Sequence, residues 1–431
     1  MFKTRICLVA LGIMAATQAV ASEQSDANGF VEDSSMSVLL RNHYINRDYK
    51  NASAGNPGAR NDGAEWGQAA IANLTSGFTQ GTVGVGVDAF GLYAVRLDGG
   101  SGRSGNGGID FFKQDSNGNA AHDLSRLGGA IKFRISNTVL KYGDMMPSLP
   151  VLNYDDSRLL PETFTGTMIT SKEIKGLELN AGHFTAESRK SATGRDSGGL
   201  NQIDVLGGSY TFNDKLKGSL YGIDIQDVYK QQYLGVTYVQ PLDKDQSLTL
   251  DFNGYRTNID NSFADAQGTG DTNRIWSLAA TYAVGPHSFT VAHQRSSGSA
   301  GYPYGWYQNA GGVGNGGSSI FLSNSYWSDF NAEDEHSWQL GYGLDFTTFG
   351  VPGLSYKFAY VRGDNITTPT GDGTEREIFN QFQYIVQSGV AKDLKLKARS
   401  SILRVSDNAH ASYMNSGNEV RLLMEYPINV F

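Results

Sequence analysis

The residues best suited to ligand chemistry are three cations near the C-terminal end of the chain, Lys395, Lys397 and Arg399, which occupy alternate positions. Side chains alternate between the two faces of a β-strand, so these three share one face and the apolar residues between them share the other. Guanidinium and ammonium groups in such a row can replace the water around a carboxylate in steps, each contact weak enough to release it. The alternative for each cation is a solvated charge at a rim or a salt bridge in a wall.

The strands that would carry such a row are indicated by the same alternation along most of the chain. Residues 337–346 read SWQLGYGLDF, with Trp338 and Leu340 on an apolar face and Ser337 and Gln339 on a polar one. We count about eighteen such strand candidates, separated by stretches rich in Gly, Asn, Asp and Ser. One polar and one apolar face per strand suits either a sandwich with its apolar face inward or a membrane barrel with it outward.

The connections favour the barrel over the sandwich. Asn213-Asp214 and Gly285-Pro286 are tight turns, whereas other connections are long and polar. Short turns at one end and long loops at the other are typical of an outer-membrane barrel. The four longest predicted loops are Asp98–Asp123, Arg189–Asn201, Asn258–Thr272 and Ser296–Glu335.

Composition agrees with a barrel and excludes other classes. The chain has 53 glycines, 22 tyrosines, 21 phenylalanines and only 10 prolines, a mix that suits twisted antiparallel strands with aromatic girdles. Apart from the N-terminal segment, no apolar run approaches the roughly 18 residues of a membrane helix. The formal net charge of −8 makes nucleic acid an improbable partner.

Residues 1–21 are predicted to be a cleaved signal peptide. Lys3 and Arg5 precede an apolar run, and Ala19-Val20-Ala21 forms a small-residue cleavage site. Residues 22–431 would then form a single barrel domain with a formal charge of −10 and no cysteine, since Cys7 is the only one. An exported chain of this size without disulfides is typical of the bacterial envelope.

Nine stretches, in order along the chain, resemble the OprD family of substrate-specific outer-membrane porins of Gram-negative bacteria, also called the Occ channels. The match runs over essentially the whole mature chain. The stretches are Gly29–Lys50, Gly77–Gly91, Arg126–Ser136, Pro150–Gly166, Asp245–Asn258, Ser319–Asn331, Phe349–Leu354, Val386–Leu394 and Asn418–Pro427.

The resemblance implies an all-β fold, a transmembrane antiparallel barrel of 18 strands. Short periplasmic turns and long extracellular loops would connect the strands, and one loop would fold inward as a constriction. The implied function is passive uptake of small carboxylate-containing nutrients across the bacterial outer membrane, guided by a ladder of basic residues. The implied partners are these solutes, the lipid bilayer with its lipopolysaccharide, and the barrel-assembly machinery during biogenesis.

The resemblance also assigns candidate residues for translocation. Lys397, Arg399 and Arg421 match family ladder positions, and Lys395 extends the same face. Three further cations lie on the polar faces of their strands: Arg41, Lys132 and Arg134.

Acidic and hydroxyl groups are expected opposite this ladder. Asp155, Asp156 and Arg158 lie in the predicted constriction loop, where Arg158 could contact substrate or anchor the loop to the wall. Asp329, with Ser325 nearby, matches a segment that contributes to an acidic pocket in the family, although this chain is one residue shorter there.

Two departures from the family pattern favour cyclic or aromatic monocarboxylates such as benzoate as substrates. Gln383 stands where some members carry another basic residue, and Arg189–Asn201 is shorter than in members associated with basic amino acids. A channel for basic amino acids and small peptides is the alternative.

More remote alternatives are a barrel protease or lipase and an adhesin. No G-x-S-x-G nucleophile motif is evident, and no metal-binding motif or cofactor is indicated. The sequence leaves the choice between a monomer and a loose homotrimer open.

Overall fold

The computed structural model describes residues 22–50, 62–98, 108–114, 119–307, 320–410 and 413–431. Eighteen strands form one sheet, and two short strands, β6 and β7, form a separate hairpin. The predicted signal peptide, residues 1–21, lies outside the described residues. The strands are β1 Ser35–Tyr49, β2 Gly63–Thr75, β3 Gly84–Asp98, β4 Asp123–Ile135, β5 Thr138–Met145, β6 Ser148–Leu149, β7 Leu152–Asn153, β8 Thr163–Ser171, β9 Leu177–Ser188, β10 Ile203–Asn213, β11 Leu216–Ile225, β12 Tyr229–Asp243, β13 Gln246–Ile259, β14 Thr272–Val284, β15 His287–Gly298, β16 His336–Asp345, β17 Leu354–Ile366, β18 Gly373–Ile385, β19 Lys395–Val405 and β20 Gly417–Asn429.

The sheet closes into a barrel because its first and last strands pair. Each strand of the wall pairs with its neighbours in antiparallel register, and β1 pairs with β20 over thirteen residue pairs from Ser37–Asn429 to Tyr49–Gly417. Closure leaves no strand edge exposed, which a sheet in a membrane requires. The predicted 18-stranded antiparallel barrel is confirmed.

The apolar face of each strand points outward, as a membrane barrel demands. On β16, Trp338 and Leu340 are 59% and 61% exposed, whereas Ser337 and Gln339 are 0% and 5% exposed. A sandwich would show the reverse, with the large apolar side chains buried. Hydrocarbon therefore covers the outer wall, and polar side chains face the lumen.

The connections differ in length between the two ends of the barrel. Turns such as residues 136–137, 214–215 and 285–286 lie at one end, periplasmic by the usual rule, and loops such as residues 146–162 and 189–202 lie at the other. Two short helices belong to the loops, α1 Asn261–Gln267 and α2 Asp407–His410, and a 3₁₀ turn spans Thr347–Phe349. Among the described residues, no helix is long and apolar enough to cross a membrane.

The loop of residues 146–162, which contains β6 and β7, folds into the lumen. At one end of it the Arg41 guanidinium on β1 binds both carboxylate oxygens of Asp156, at 2.6 and 2.8 Å. At the other end the Tyr255 hydroxyl on β13 donates to the Pro150 carbonyl at 3.0 Å. Because β1 and β13 lie on different sides of the barrel, the loop spans its interior. The predicted constriction loop is therefore present.

Candidate functional site

A cavity of about 460 Å³ lies where this loop meets the basic part of the wall. Its lining comes from strands β1, β19 and β20, the constriction loop, and the loops that follow β9, β15 and β19. The charged residues in the lining are Arg47, Asp155, Arg158, Lys190, Asp329, Arg399 and Arg421.

Arg399 is a cation of this cavity with guanidinium atoms that lack hydrogen-bond partners. It points inward from β19, and its Nε and Nη2 atoms are buried without a hydrogen-bond partner among the described residues. Its guanidinium carbon lies 4.9 Å from the centre of the Phe379 ring, which supports one face of the group. Arg399 therefore brings to the edge of the cavity a positive charge whose hydrogen-bonding capacity is not fully used by the described residues.

Arg158 is a second cation of the cavity that forms no ion pair with a carboxylate of the described residues. Its Nε donates to the Ile109 carbonyl at 2.6 Å, and its Nη2 donates to the Gly108 carbonyl at 3.0 Å. Burial lowers the pKa of Arg158 to about 10, and the nearby charges of Arg47 and Arg421 add to this effect. The guanidinium therefore remains protonated at neutral pH while neutral acceptors hold it in place.

Arg47 and Arg421 share one carboxylate. Glu419 Oε2 accepts from Arg47 Nε at 2.8 Å, and Glu419 Oε1 accepts from Arg421 Nε at 2.6 Å. One negative charge thus faces two guanidinium groups, so this part of the wall stays positive.

The loops supply two carboxylates to the lining. Burial would raise the pKa of Asp155, but the ammonium of Lys190 outweighs it, and the pKa of Asp155 lies below its usual value. Asp329 accepts a hydrogen bond from the Ser325 hydroxyl. Unlike Asp155, it forms no ion pair with a cation of the described residues. Removal from water raises the pKa of Asp329 to about 6, although Ser325 and Arg399 oppose the shift.

Aromatic side chains complete the lining beside the charges. Tyr304, Tyr326 and Trp327 all border the cavity. The Tyr326 ring stacks obliquely on Phe379 with 4.5 Å between their centres, and Phe379 also contacts Arg399. Flat apolar surface and an available guanidinium therefore lie side by side.

Six of the twelve candidate residues meet at this cavity, four from the constriction loop and the loop after β15 on one side and two from strands β19 and β20 on the other. They are Asp155, Arg158, Ser325, Asp329, Arg399 and Arg421.

The other six candidates are placed elsewhere, and most of them are already paired. Arg41 bridges Asp156 and Glu425, and Lys395 approaches Glu425 at 3.2 Å. Lys397 faces the lumen one pleat below Arg399, in register with Leu423, and does not line the cavity.

The remaining two cations belong to the wall near β3 and β4. Lys132 binds Asp88 at 2.7 Å, and Arg134 donates to Gln24 at 2.8 Å and covers the Phe78 ring. A part for these residues in translocation stays a prediction.

Two charged residues of the cavity were missed by the sequence analysis. Arg47 has the same parity as Arg41 on β1, so alternation along that strand could have identified it. Lys190 lies in a loop directly after β9, where no periodic signal exists, and only the folded chain brings it to Asp155. In the described parts of the chain, no group of three or more acidic or histidine side chains could hold a metal ion.

Comparison with known proteins decides the family. The family model described as outer membrane porin, OprD family, matches residues 28–430. The chain belongs to the OprD family of outer-membrane porins. This family consists of channels rather than enzymes, and its members lie in the bacterial outer membrane, as the sequence analysis expected.

Individual members of the OprD family match over almost their full length. Porin D of Pseudomonas aeruginosa is 41% identical over 441 residues, covering 96% of this chain and 95% of that protein. The crystal structure of Acinetobacter baumannii OccAB1 is 38% identical, with a TM-score of 0.87 and coverage of 95% and 100%. The structure of Pseudomonas aeruginosa OpdK with vanillate is 31% identical, with a TM-score of 0.80 and coverage of 93% and 100%.

Proposed function

We propose that this porin is a diffusion channel for small monocarboxylates, with cyclic or aromatic acids such as benzoate preferred. The observation that carries the proposal is Arg399, which lines the lumen cavity and whose Nε and Nη2 atoms have no hydrogen-bond partner among the described residues. A carboxylate that enters the cavity would gain the charge-assisted hydrogen bonds that this guanidinium lacks.

The balance of charge in the cavity supports an anionic solute. Among the described lining residues, five side chains are cationic and two are carboxylates, Asp155 and Asp329. Asp155 is already bound to Lys190. Selectivity follows the few charges at the narrowest point, so the acidic net charge of the whole chain does not oppose an anion preference.

The aromatic part of the lining supports a ring-bearing acid. A ring placed against Tyr326 would lie beside Phe379 and leave its carboxylate near Arg399. Ring faces stack with a gain of about 0.5–1.5 kcal/mol beyond the area they bury. The OpdK structure named above contains vanillate, an aromatic monocarboxylate of the proposed class.

The test is single-channel conductance of the refolded protein in a planar bilayer, with benzoate and then arginine titrated in. We expect benzoate to block or permeate with saturation, and arginine to have little effect. Arg399→Gln should weaken the benzoate response, while Lys217→Gln, which removes a lumen cation from the opposite wall on β11, should leave it unchanged.

Two results would contradict the proposal. A stronger response to arginine than to benzoate would assign the channel to basic amino acids and make Asp329 the residue to test. An equal loss in Arg399→Gln and Lys217→Gln would show that benzoate responds only to the total charge of the lumen.

A further inference from the structure

Three arginines lie side by side on the outer, lipid-facing surface of the barrel near its long-loop end. Arg362 on β17 stands opposite Arg376 on β18, which stands opposite Arg404 on β19. Their inward-pointing neighbours Val361 and Leu403 are both 0% exposed. Since side chains alternate along a strand, the three guanidinium groups must point outward.

No carboxylate of the described residues forms an ion pair with this arginine row. Neither the Arg362 nor the Arg376 side chain has a hydrogen-bond or ion-pair partner in the part of the chain that the structure describes. Arg404 donates to the Leu403 and Gly417 carbonyls at 2.7 and 2.9 Å, both neutral acceptors. Like charges directly opposite each other destabilise a strand pair, so the row favours an anion between its members.

A concave site accompanies the row. A cavity of about 350 Å³ is lined by the three arginines together with the side chains of Thr374, Ser406 and Ser416. Lys50 also borders it and is paired with Asp48 at 2.5 Å.

The carboxylates in the lining of this cavity do not neutralise the row. Asp407 is fully exposed. Glu375 accepts hydrogen bonds from Ser328 and Tyr413 on the lumen side. The cavity therefore presents guanidinium and hydroxyl donors, which suit the oxygens of a phosphate.

The row marks the boundary between the apolar belt and water. One pleat nearer the centre of the barrel wall, Ile402 is 40% exposed on the same face as Arg404. Trp338, the neighbour of Arg362 in the register, is also outward, and indole rings are enriched at this interfacial level. Arginine stems can lie along the apolar belt while their charged ends reach the level of lipid headgroups.

Outward arginines continue along the same part of the rim. Arg256 and Arg274 face each other on β13 and β14, and Arg295 follows on β15. On β10 and β11 the corresponding outward pair consists of the carboxylates Asp204 and Asp224. The six outward arginines thus lie on one side of the rim, on β13–β15 and β17–β19, and outnumber the outward carboxylate of Asp364 on β17.

We propose that this rim cavity binds the phosphate groups of an outer-leaflet lipid, the phosphorylated lipid A of lipopolysaccharide. Arg362, Arg376 and Arg404 would hold the phosphate, with the Thr374 hydroxyl as a further donor, while the acyl chains lie along the apolar belt below. The occupant is a lipid because the site opens on the lipid-facing surface rather than into the lumen.

The test compares lipid A binding by three forms of the refolded, detergent-solubilised barrel, measured by native mass spectrometry over a lipid titration. The triple variant Arg362→Gln, Arg376→Gln, Arg404→Gln should bind bis-phosphorylated lipid A roughly 100-fold more weakly, at about a factor of five per interfacial cation. The control Lys175→Gln, Lys215→Gln, Lys244→Gln removes the same charge from turns at the other end and should bind normally. All six residues are on the surface, so folding is expected to be retained.

Further arms separate the possible sources of phosphate. Lipid A stripped of its phosphates should bind as weakly to the wild type as intact lipid A binds to the triple variant. Unchanged binding of the triple variant, an equal loss in the control, or displacement of lipid A by equimolar inorganic phosphate would each overturn the proposal. The conductance and benzoate response of the triple variant should match wild type, so the lipid site and the channel function are tested independently.

Discussion

Two parts of the lumen differ in whether their cations are paired with carboxylates. In the cavity at the constriction, neither Arg399 nor Arg158 forms an ion pair with a carboxylate of the described residues. Nearer the periplasmic end, Arg41 is held by Asp156 and Glu425, and Lys132 by Asp88. All of these cations point inward from strands or loops, yet only the first group keeps donors for a solute.

The difference teaches that facing the lumen and being available to a solute are separate properties. A buried cation without a partner is costly, so a fold retains it where an anion completes it, whereas a fully paired cation contributes to rigidity. Arg41 holds the constriction loop through Asp156, Lys132 is bound to Asp88 on the barrel wall, and Arg158 and Arg399 lie where the loop narrows the lumen. The comparison predicts that substitutions in the two parts affect different measurements.

The largest effect is expected from Arg41→Gln in the paired part. The Arg41 side chain is 5% exposed and bridges two carboxylates, so its loss leaves Asp156 without a counter-charge, leaves Glu425 with Lys395 alone and frees one end of the loop. Removing one partner of a buried ion pair costs about 3–5 kcal/mol. Urea unfolding of the barrel in lipid vesicles, followed by tryptophan fluorescence, should show that fall in the free energy of unfolding. A fall below about 1 kcal/mol would mean that the pair does not support the loop.

Arg399→Gln should change binding and leave stability nearly unaltered. Hydrogen bonds to charged groups contribute about 1.5–3 kcal/mol, so the apparent affinity for benzoate in conductance titrations should fall about 10- to 100-fold. Lys397→Gln, one pleat away and outside the cavity lining, should produce a smaller loss. If Lys397→Gln has the larger effect, benzoate binds below the cavity, nearer to Lys397 than to Arg399.

Asp329 should make the ion preference of the cavity depend on pH. Burial raises the pKa of its carboxyl to about 6, so the group is mostly ionised at pH 7.5 and mostly protonated at pH 5. Lowering the pH removes a negative charge from the lining, and the anion-to-cation permeability ratio from reversal potentials should rise with a midpoint near 6. Asp155 keeps its charge in this range because its pKa is lowered.

The matched control for the pH experiment is Asp329→Asn. This variant should show the higher anion preference at pH 7.5 already, and its permeability ratio should no longer change around pH 6. A pH dependence that persists in Asp329→Asn would belong to another group.

The smallest effect is expected for Lys395→Gln. Lys395 shares Glu425 with Arg41, but its side chain is 37% exposed and its nitrogen lies 3.2 Å from the carboxylate. Exposed pairs contribute about 0–1 kcal/mol, so the free energy of unfolding and the benzoate affinity should both stay close to wild type. A loss as large as that of Arg41→Gln would show that exposure is a poor guide to pairing in this lumen.

Some of the site could be predicted from single strands and some could not. Arg399 and Arg421 were identified because alternation gives their face and the family resemblance gives their position. The same alternation marked Arg41 and Lys132 equally, and it could not distinguish them from Arg399, because their carboxylate partners lie on other strands and in the constriction loop. Lys190 had no periodic signal at all, since its partner Asp155 is brought to it only by the path of two loops.

The sequence by itself determined the strands and the face of each side chain, because a period of two residues is a local property of an extended backbone. Alternation left a sandwich and a barrel both open, and the connections and the family resemblance favoured the barrel. Only the tertiary structure decided which charges meet. Arg158, Asp329 and Arg399 lie far apart in sequence, and their distances depend on how the loops cross the lumen. Electrostatic energy falls with distance and with the surrounding water, so the availability of a cation is set by those packed neighbours and cannot be read from its own strand.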